Sequence, residues 1–276
     1  MKVTVALIVK RALLILVIAV SMVLALLALR KPSNDRDWTV DQAVLAHAEI
    51  NGPLVTVRNI RNFTYTTEDE YTPAYYDKAF DLRKLDSVWY IVEPFGTVGA
   101  AHTFVSYGFG ERDFLAISIE IRKEKGETFS PIRGLLREYE IMYVIGDERD
   151  LLKLRTNYRG DPVFLYPIHT TREGMKEMFV SMLTRANSLR QHPEFYNTAT
   201  NTCTTNLVSH VNTIATKRVP FRPAVLLPAS SDRLAYDLGL IDNRRPFEET
   251  RAAAQINDLA RRHAEDPQFS LRIRRR

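Results

Sequence analysis

The chain has 276 residues, of which 45% are hydrophobic, 10% aromatic and 26% charged, a balance that excludes a disordered tail and allows a sizeable core. The net charge of +5 gathers partly at the end, in Arg272, Arg274, Arg275 and Arg276. Such a tail is solvated surface, which beside a bilayer also meets anionic lipid, and it gives no ground for a nucleic-acid partner.

Residues 12–29 run without charge or proline between Lys10-Arg11 and Arg30-Lys31. The run is just long enough to span a hydrocarbon core, with basic side chains snorkelling at both ends. A cleaved signal peptide is the competing reading, but its apolar region would be shorter and no small-x-small cleavage site follows. An uncleaved anchor is therefore expected, and no cysteine directly follows it to serve lipoprotein processing. Lys2, Lys10 and Arg11 precede the run, whereas Arg30, Lys31 and Arg36 are diluted by Asp35 and Asp37. This bias keeps the amino terminus inside and places residues 32–276 on the periplasmic side of a bacterial inner membrane, single-pass.

A helical or irregular lead is expected over residues 33–50, with Val40, Val44 and Leu45 on one face. Leu54 to Tyr65 reads as a strand in which Val55, Val57, Ile60 and Phe63 fit strict alternation poorly. Val88–Val92, His102–Tyr107, Phe114–Glu124 and Tyr139–Ile145 are β-rich runs separated by glycines, an antiparallel meander, and Val163–Pro167 adds a strand. Thr171–Leu189 and Thr202–Thr216 then carry apolar residues at helical spacing, with Met175, Met178 and Met182 reading as core filling. Beyond Pro220, Pro223 and Pro228, Ser230-Ser231-Asp232 opens a short helix ending near Gly239. The expected divisions are an anchor over 1–31, a lead with an accessory strand over 32–84, a main domain over 85–240, and a peripheral helix and basic tail over 241–276.

Cys203 is the single cysteine, so no internal disulfide forms, and it sits among polar residues at a helix start. There the unpaired backbone N–H groups and the dipole favour a thiolate, which makes Cys203 a candidate nucleophile; the alternative is a small buried hydrophobe. Thiol catalysis needs a base, a group that orients it, and donors for an oxyanion. His210, seven residues on, lies about 10 Å along the same helix, too far for a hydrogen bond. His102, opening a strand after the Gly96–Ala101 turn, is the better partner and shares a face with Phe104 and Ser106. On the following strand Ser118, Glu120, Arg122 and Glu124 share a face. Glu120, ahead of Ser118, is the candidate to hold the imidazole; an exposed charge ladder on an edge strand is the alternative. Asn201 and the Cys203 backbone N–H are candidate oxyanion donors.

Glu93-Pro94-Phe95-Gly96 leading to Ala101-His102-Thr103-Phe104, Ser118 to Glu124, Arg155-Thr156-Asn157, Phe195-Tyr196-Asn197 and Asn201-Thr202-Cys203-Thr204-Thr205 together resemble a bacterial family. It is the one related to the periplasmic amino-terminal domain of Lnb, the lipoprotein intramolecular transacylase, and the likeness covers about residues 85–240. The resemblance implies an α+β fold of permuted NlpC-type, papain-like design, an antiparallel sheet plus helices behind the transmembrane helix. It implies Cys203 as nucleophile and His102 as base, with Arg122, Glu124 and Arg155 as ion pairs lining the site. This sequence carries no carboxy-terminal membrane bundle of the Lnb kind, so the chemistry transfers more safely than the substrate.

The expected function is a membrane-anchored cysteine acyl-transfer enzyme, needing no metal or organic cofactor, that acts on a membrane lipid, lipoprotein or other envelope ester or amide. The alternatives are a cysteine peptidase or amidase on cell-wall peptide, and a non-catalytic tethered binding protein.

Overall fold

The computed structural model describes residues 2–96, 99–110, 112–215 and 218–274, and the side chains of its first helix from residue 10 on, except residue 24. The turn positions 97 and 98, Thr216 at the expected helix end, and Arg275 and Arg276 lie outside the described residues. The apolar run becomes α1 (Lys2–Leu29), whose segment Lys10–Leu29 is long and apolar enough to cross a membrane and leaves side chains such as Leu13, Ile15, Leu16, Ile18 and Leu26 exposed.

After an irregular lead come β1 (His47–Asn51) and β2 (Leu54–Arg61). The poor alternation in this stretch has a structural cause. The pairing of β2 shifts between Val57 and Ile60, with Asn59 in the left-handed region at φ 59°, so one inserted residue keeps Val55, Val57 and Ile60 all facing the core. The expected single strand therefore ends at Arg61. A separate small hairpin, β3 (Thr64–Tyr65) and β4 (Tyr71–Thr72), follows, and β5 (Tyr75–Asp81) returns to pair with β2.

β6 (Leu85–Pro94), β7 (Ala101–Phe109), β8 (Asp113–Arg122) and β9 (Glu140–Gly146) form the antiparallel meander, with the short α2 (Pro131–Leu135) between the last two. α3 (Glu148–Lys153) runs into a π-turn, Leu154–Arg159, before β10 (Phe164–Pro167) pairs with β6. The helices are α4 (Arg172–Gln191), α5 (Cys203–Ile214), α6 (Pro223–Leu226), α7 (Ser231–Asp237), α8 (Phe247–Ala254), α9 (Asn257–Arg262) and α10 (Phe269–Arg272).

The architecture is α+β on a mixed sheet rather than a purely antiparallel one. Its strand order is β1-β2-β9-β8-β7-β6-β10, with β5 also on β2, and β2 meets β9 in parallel at Arg61 and Gly146. One face packs Val105, Tyr107 and Ile117 against Met178, Phe179 and Met182 of α4 and Leu207 of α5. The other packs Ile91, Phe104 and Val144 against Leu151 and Leu152 of α3 and against Ile256, Ala260, Phe269 and Ile273.

Two of the expected divisions are thereby corrected. Residues 32–84 supply strands to the same sheet as the main domain, and of the expected tail 241–276 the described residues 241–274 pack on the domain. Ile256, Ala260, Phe269 and Ile273 are fully buried, and the Arg274 guanidinium is clamped on Glu148 over the rings of Trp89 and Phe114. Residues 241–274 cover one side of the sheet because the alternating strands are apolar on both faces and each face must be shielded from water.

Asp150 ties the lead to α3. Its fully buried carboxylate accepts from Nε and Nη2 of Arg61, from the Phe63 backbone N–H and from the Tyr65 hydroxyl. Removing its charge leaves the Arg61 guanidinium buried and unpaired, a loss of about 3–5 kcal/mol. Asp150→Asn is therefore expected to unfold at distinctly lower denaturant concentration than the parent in the same detergent, and an unchanged midpoint would exclude this account.

Candidate active site

The site is organised around β7, which lies between β6 and β8. Extended backbone sends successive side chains to opposite faces. Thr103, Val105 and Tyr107 face α4 and α5, while His102, Phe104 and Ser106 face α3 and the π-turn.

On the His102 face, Glu93 of β6 pairs directly with His102, and Ser118 of β8 with Phe104. The His102 Nε2 is 2.6 Å from Ser118 Oγ, and Ser118 donates to Glu120 Oε1 at 2.8 Å. Glu120 itself is 3.8 Å from Nε2. Serine has one hydroxyl hydrogen, and a carboxylate only accepts; with that hydrogen on Glu120, Ser118 receives its bond from Nε2–H. The neutral imidazole then carries its lone pair on Nδ1, which has no hydrogen-bond partner among the described residues. Glu120, the favoured orienting group from sequence, acts through Ser118.

Behind this relay Arg155 projects from the π-turn, 3% exposed. Its Nε lies 2.6 Å from Glu93, its Nη2 2.9 Å from Glu120, and its Nη1 donates to the Leu151 carbonyl at 2.8 Å. Its guanidinium and the His102 ring both lie on Phe104. Burial works against ionisation of Glu120, but the charges of Arg155, His102 and Arg61 outweigh it and hold the carboxyl well below the usual range. The alternative of an exposed edge ladder is excluded, because β8 is an interior strand and Ser118 and Arg122 are buried.

On the opposite face, Thr202 caps α5 in a reciprocal capping box with Thr205, which sets Cys203 as the first residue of the helix. The half-buried sulfur has Thr204 Oγ1 at 3.6 Å, and Thr204 Oγ1 meets Thr103 Oγ1 of β7 at 3.1 Å. The backbone N–H groups of Cys203 and Thr204 make no hydrogen bond among the described residues. Beside them opens a cavity of about 490 Å³, whose few polar groups include Tyr90, Thr204 and Ser231 and whose walls are largely Val105, Met178, Leu207, Val211 and Leu234.

The structure thus brings His102, Ser118, Glu120 and Arg155 together and sets Cys203 near the same end of β7, but it joins the two centres by no hydrogen bond between Sγ and the imidazole. The other expected members lie elsewhere. Asn201 donates to the Phe195 carbonyl at 2.8 Å and accepts from Asn206 at 2.7 Å, so its amide holds the loop before α5 rather than an oxyanion. Arg122 serves Asn34, Gln42 and Ala43 and lies over Trp38, and Glu124 pairs with Arg36. Both strap down the segment after α1 instead of lining the site. His210 is a core histidine with both ring nitrogens engaged, on Tyr143 and Ser181. Glu93 and the Thr103–Thr204 contact escaped sequence reasoning as site features. Glu93 had a detectable signal, a carboxylate closing the apolar run Val88–Val92, and it lies directly opposite His102. Among the described residues no group of three or more His, Cys, Asp or Glu side chains is placed to hold a metal.

Burial, reinforced by Arg155 and opposed by Glu120, lowers the His102 pKa from 6.5 to about 3. The unfolded chain then takes up a proton that the folded chain refuses, so this contribution to stability is complete above pH 6.5 and is lost as the pH falls toward the folded value. His210, lowered to about 4 by burial and Arg185, adds a parallel loss common to parent and variant. Between about pH 6 and pH 5 the unfolding free energy of His102→Gln is expected to fall less steeply than the parent's, by up to about 1.4 kcal/mol per pH unit. Equal slopes in urea titrations of the two proteins would refute a neutral buried His102.

No curated protein and no solved structure matches the chain. A family model does: that of the Lnb N-terminal periplasmic domain, over residues 71–233. The matched region starts within β4, earlier than the likeness read from sequence, and contains Glu93, His102, Ser118, Glu120, Arg155 and Cys203. It takes in well over half of the chain, which therefore belongs to the Lnb N-terminal periplasmic domain family.

Proposed function

We propose that the chain is a membrane-tethered acyl-transfer enzyme with its folded domain in the periplasm, in which Cys203 accepts the acyl group and His102 handles the proton. The observation that carries this reading is the 3.1 Å contact between the Thr103 and Thr204 hydroxyls. Each is the immediate neighbour of one member of the pair, so the contact brings His102 and Cys203 to one end of β7. The relay through Ser118 supports the base role, because it leaves Nδ1 as the accepting nitrogen. Side chains leaving opposite faces of a strand do not touch directly, so in this reading the proton would pass between Sγ and Nδ1 through water around the end of β7.

The sulfur attacks the carbonyl carbon of a lipid ester, and the carbonyl oxygen is received by the unpaired N–H groups of Cys203 and Thr204. The thiol proton passes to His102 and from there to the departing alcohol, leaving a thioester on Cys203. An amine or water then attacks the thioester, its proton goes to His102, and the sulfur leaves and recovers that proton. The cavity supports an acyl chain as the group held during transfer, since its walls are largely apolar and they include Thr204, whose hydroxyl lies 3.6 Å from the sulfur. The same lining disfavours a polar cell-wall peptide. A lipid-binding module without chemistry is the second reading, favoured by the lack of a hydrogen bond between sulfur and imidazole.

Incubation of the detergent-solubilised chain with diacyl lipoprotein radiolabelled in its acyl chains separates these readings. The parent is expected to acquire a hydroxylamine-labile label, Cys203→Ala none, and His102→Gln a label forming about 10²–10⁴-fold more slowly. Equal labelling of Cys203→Ala would remove the nucleophile from the mechanism. Tight lipid retention with no covalent label in the parent would establish the binding module instead.

A further inference from the structure

Outside α1, the exposed apolar side chains concentrate in a few places. Four fall within eight residues around α2: Phe129 at 44% exposure, Ile132 at 69%, Leu135 at 47% and Leu136 at 39%. The segment is built to present them. Gly134 faces inward, where a Cβ would collide with Thr198 Oγ1 and crowd the Tyr196 ring. Thr198 donates to the Pro131 carbonyl at 2.7 Å, and Tyr139 both accepts from the Ser130 N–H and donates to the Thr128 carbonyl. With one side of this short helix fixed against the loop that leads to Cys203, Ile132 and Leu135 are left on the outer side.

A second observation says what covers them. The carboxy-terminal end of α1 is bonded to this same segment: Arg30 donates to the Leu136 and Arg137 carbonyls, and Arg137 donates to the Leu27 carbonyl at 3.2 Å. Arg137 reaches that carbonyl from a left-handed backbone conformation, φ 56°, which a residue bearing a Cβ keeps where the surroundings hold it. The exposed patch therefore lies level with the last turn of the apolar helix, with Arg30 and Arg137 at the junction and Arg133 paired with Glu138 beside it. Apolar side chains beside arginines at that level match the boundary between headgroups and acyl chains of an anionic leaflet.

We infer that the segment 129–137 is a membrane-docking element, which sinks Phe129, Ile132, Leu135 and Leu136 into an anionic phospholipid surface and holds the Cys203 loop against it. This rests on the membrane-tethered part of the proposed function. The surface is continuous with the anchor, and its Tyr196 and Thr198 contacts connect it to the residues just ahead of α5. Lipid thus meets the enzyme at the end of the domain that carries the thiol.

The test uses the full chain in vesicles of phosphatidylethanolamine and phosphatidylglycerol, in a Cys203→Ser background, with an environment-sensitive fluorophore on single introduced thiols. Ile132→Cys and Leu135→Cys are expected to give blue-shifted emission that is lost on adding lipids spin-labelled near the headgroup. Leu54→Cys, exposed at the β1–β2 turn, is expected to report water. Leu16→Cys, within α1, reports on the anchor alone. If it is quenched while Ile132→Cys and Leu135→Cys report water, the docking inference is overturned and the tether stands. If none of the positions is quenched, the tether fails and the inference with it. Quenching of Ile132→Cys only by a labelled second copy of the chain would replace the bilayer by a self-association surface and also overturn the inference.

Discussion

The two-residue period of β7 governs how this molecule is arranged. The strand is interior, with β6 and β8 on either side, and helices cover both of its faces, so neither is free to be merely polar. Odd positions feed the core under α4 and α5, and even positions feed a second core under α3 and the terminal helices. Two adjacent residues, His102 and Thr103, therefore serve different halves of the protein. The imidazole belongs to a charged cluster, and the neighbouring hydroxyl touches the helix that begins at the thiol.

The cluster on the even face is tolerable in so buried a place because arginines from the π-turn meet its carboxylates. Two carboxylates near one imidazole would repel each other and lose their hydration. Arg155 meets both with separate nitrogens and spends the third on a backbone carbonyl, a fork that lysine does not possess. The π-turn brings Arg159 to Glu93 as well, 3.6 Å from its second oxygen. A wide turn of this kind is less stable than regular helix and persists where side chains hold it. Here the holding is done by ion pairs that also fix His102 in one tautomer.

Much of this was legible in the sequence, and what was not has physical reasons. The meander, α4 and α5 followed from apolar periodicity, and the methionines of α4 were core filling, with Met178 and Met182 buried. Cys203 stands at the helix start because Thr202 and Thr205 write a capping box into the chain. Strand alternation placed His102 with Phe104 and Ser106, and Ser118 with Glu120, on common faces. What alternation in one strand cannot report is which face a distant helix covers; that depends on the crossing of residues 168–202, set by tertiary packing. The terminal forty residues were misread for a related reason. Ile256, Ala260, Phe269 and Ile273 are too widely spaced among charges to announce a core, yet each fills a position over an already apolar sheet face. Arg122 and Glu124 fell on motif positions, but charge alone does not reveal that their partners lie upstream, in the segment after α1.

That segment fixes how the apolar helix meets the domain. A flexible linker after an apolar helix would let the domain roam over a wide range of heights and tilts. Here residues 33–43 are bonded to the domain from several sides. Asn34 donates to the last carbonyls of α4 and accepts from Arg122, Trp38 lies under the Arg122 guanidinium, and Glu140 receives both the Ser33 N–H and Arg36. The segment after α1 is thereby fastened to the sheet, with the α2 segment and the loop before Cys203 on the side where α1 ends. Under the proposed function this arrangement divides the labour. The face of β7 that carries the thiol and the apolar cavity receives the acyl chain, while the opposite face manages protons in a cluster kept ordered by Arg155. An acyl chain and a charged relay make opposite demands on their surroundings, one for hydrocarbon and the other for fixed polar partners. A single strand with two covered faces meets both demands within adjacent residues.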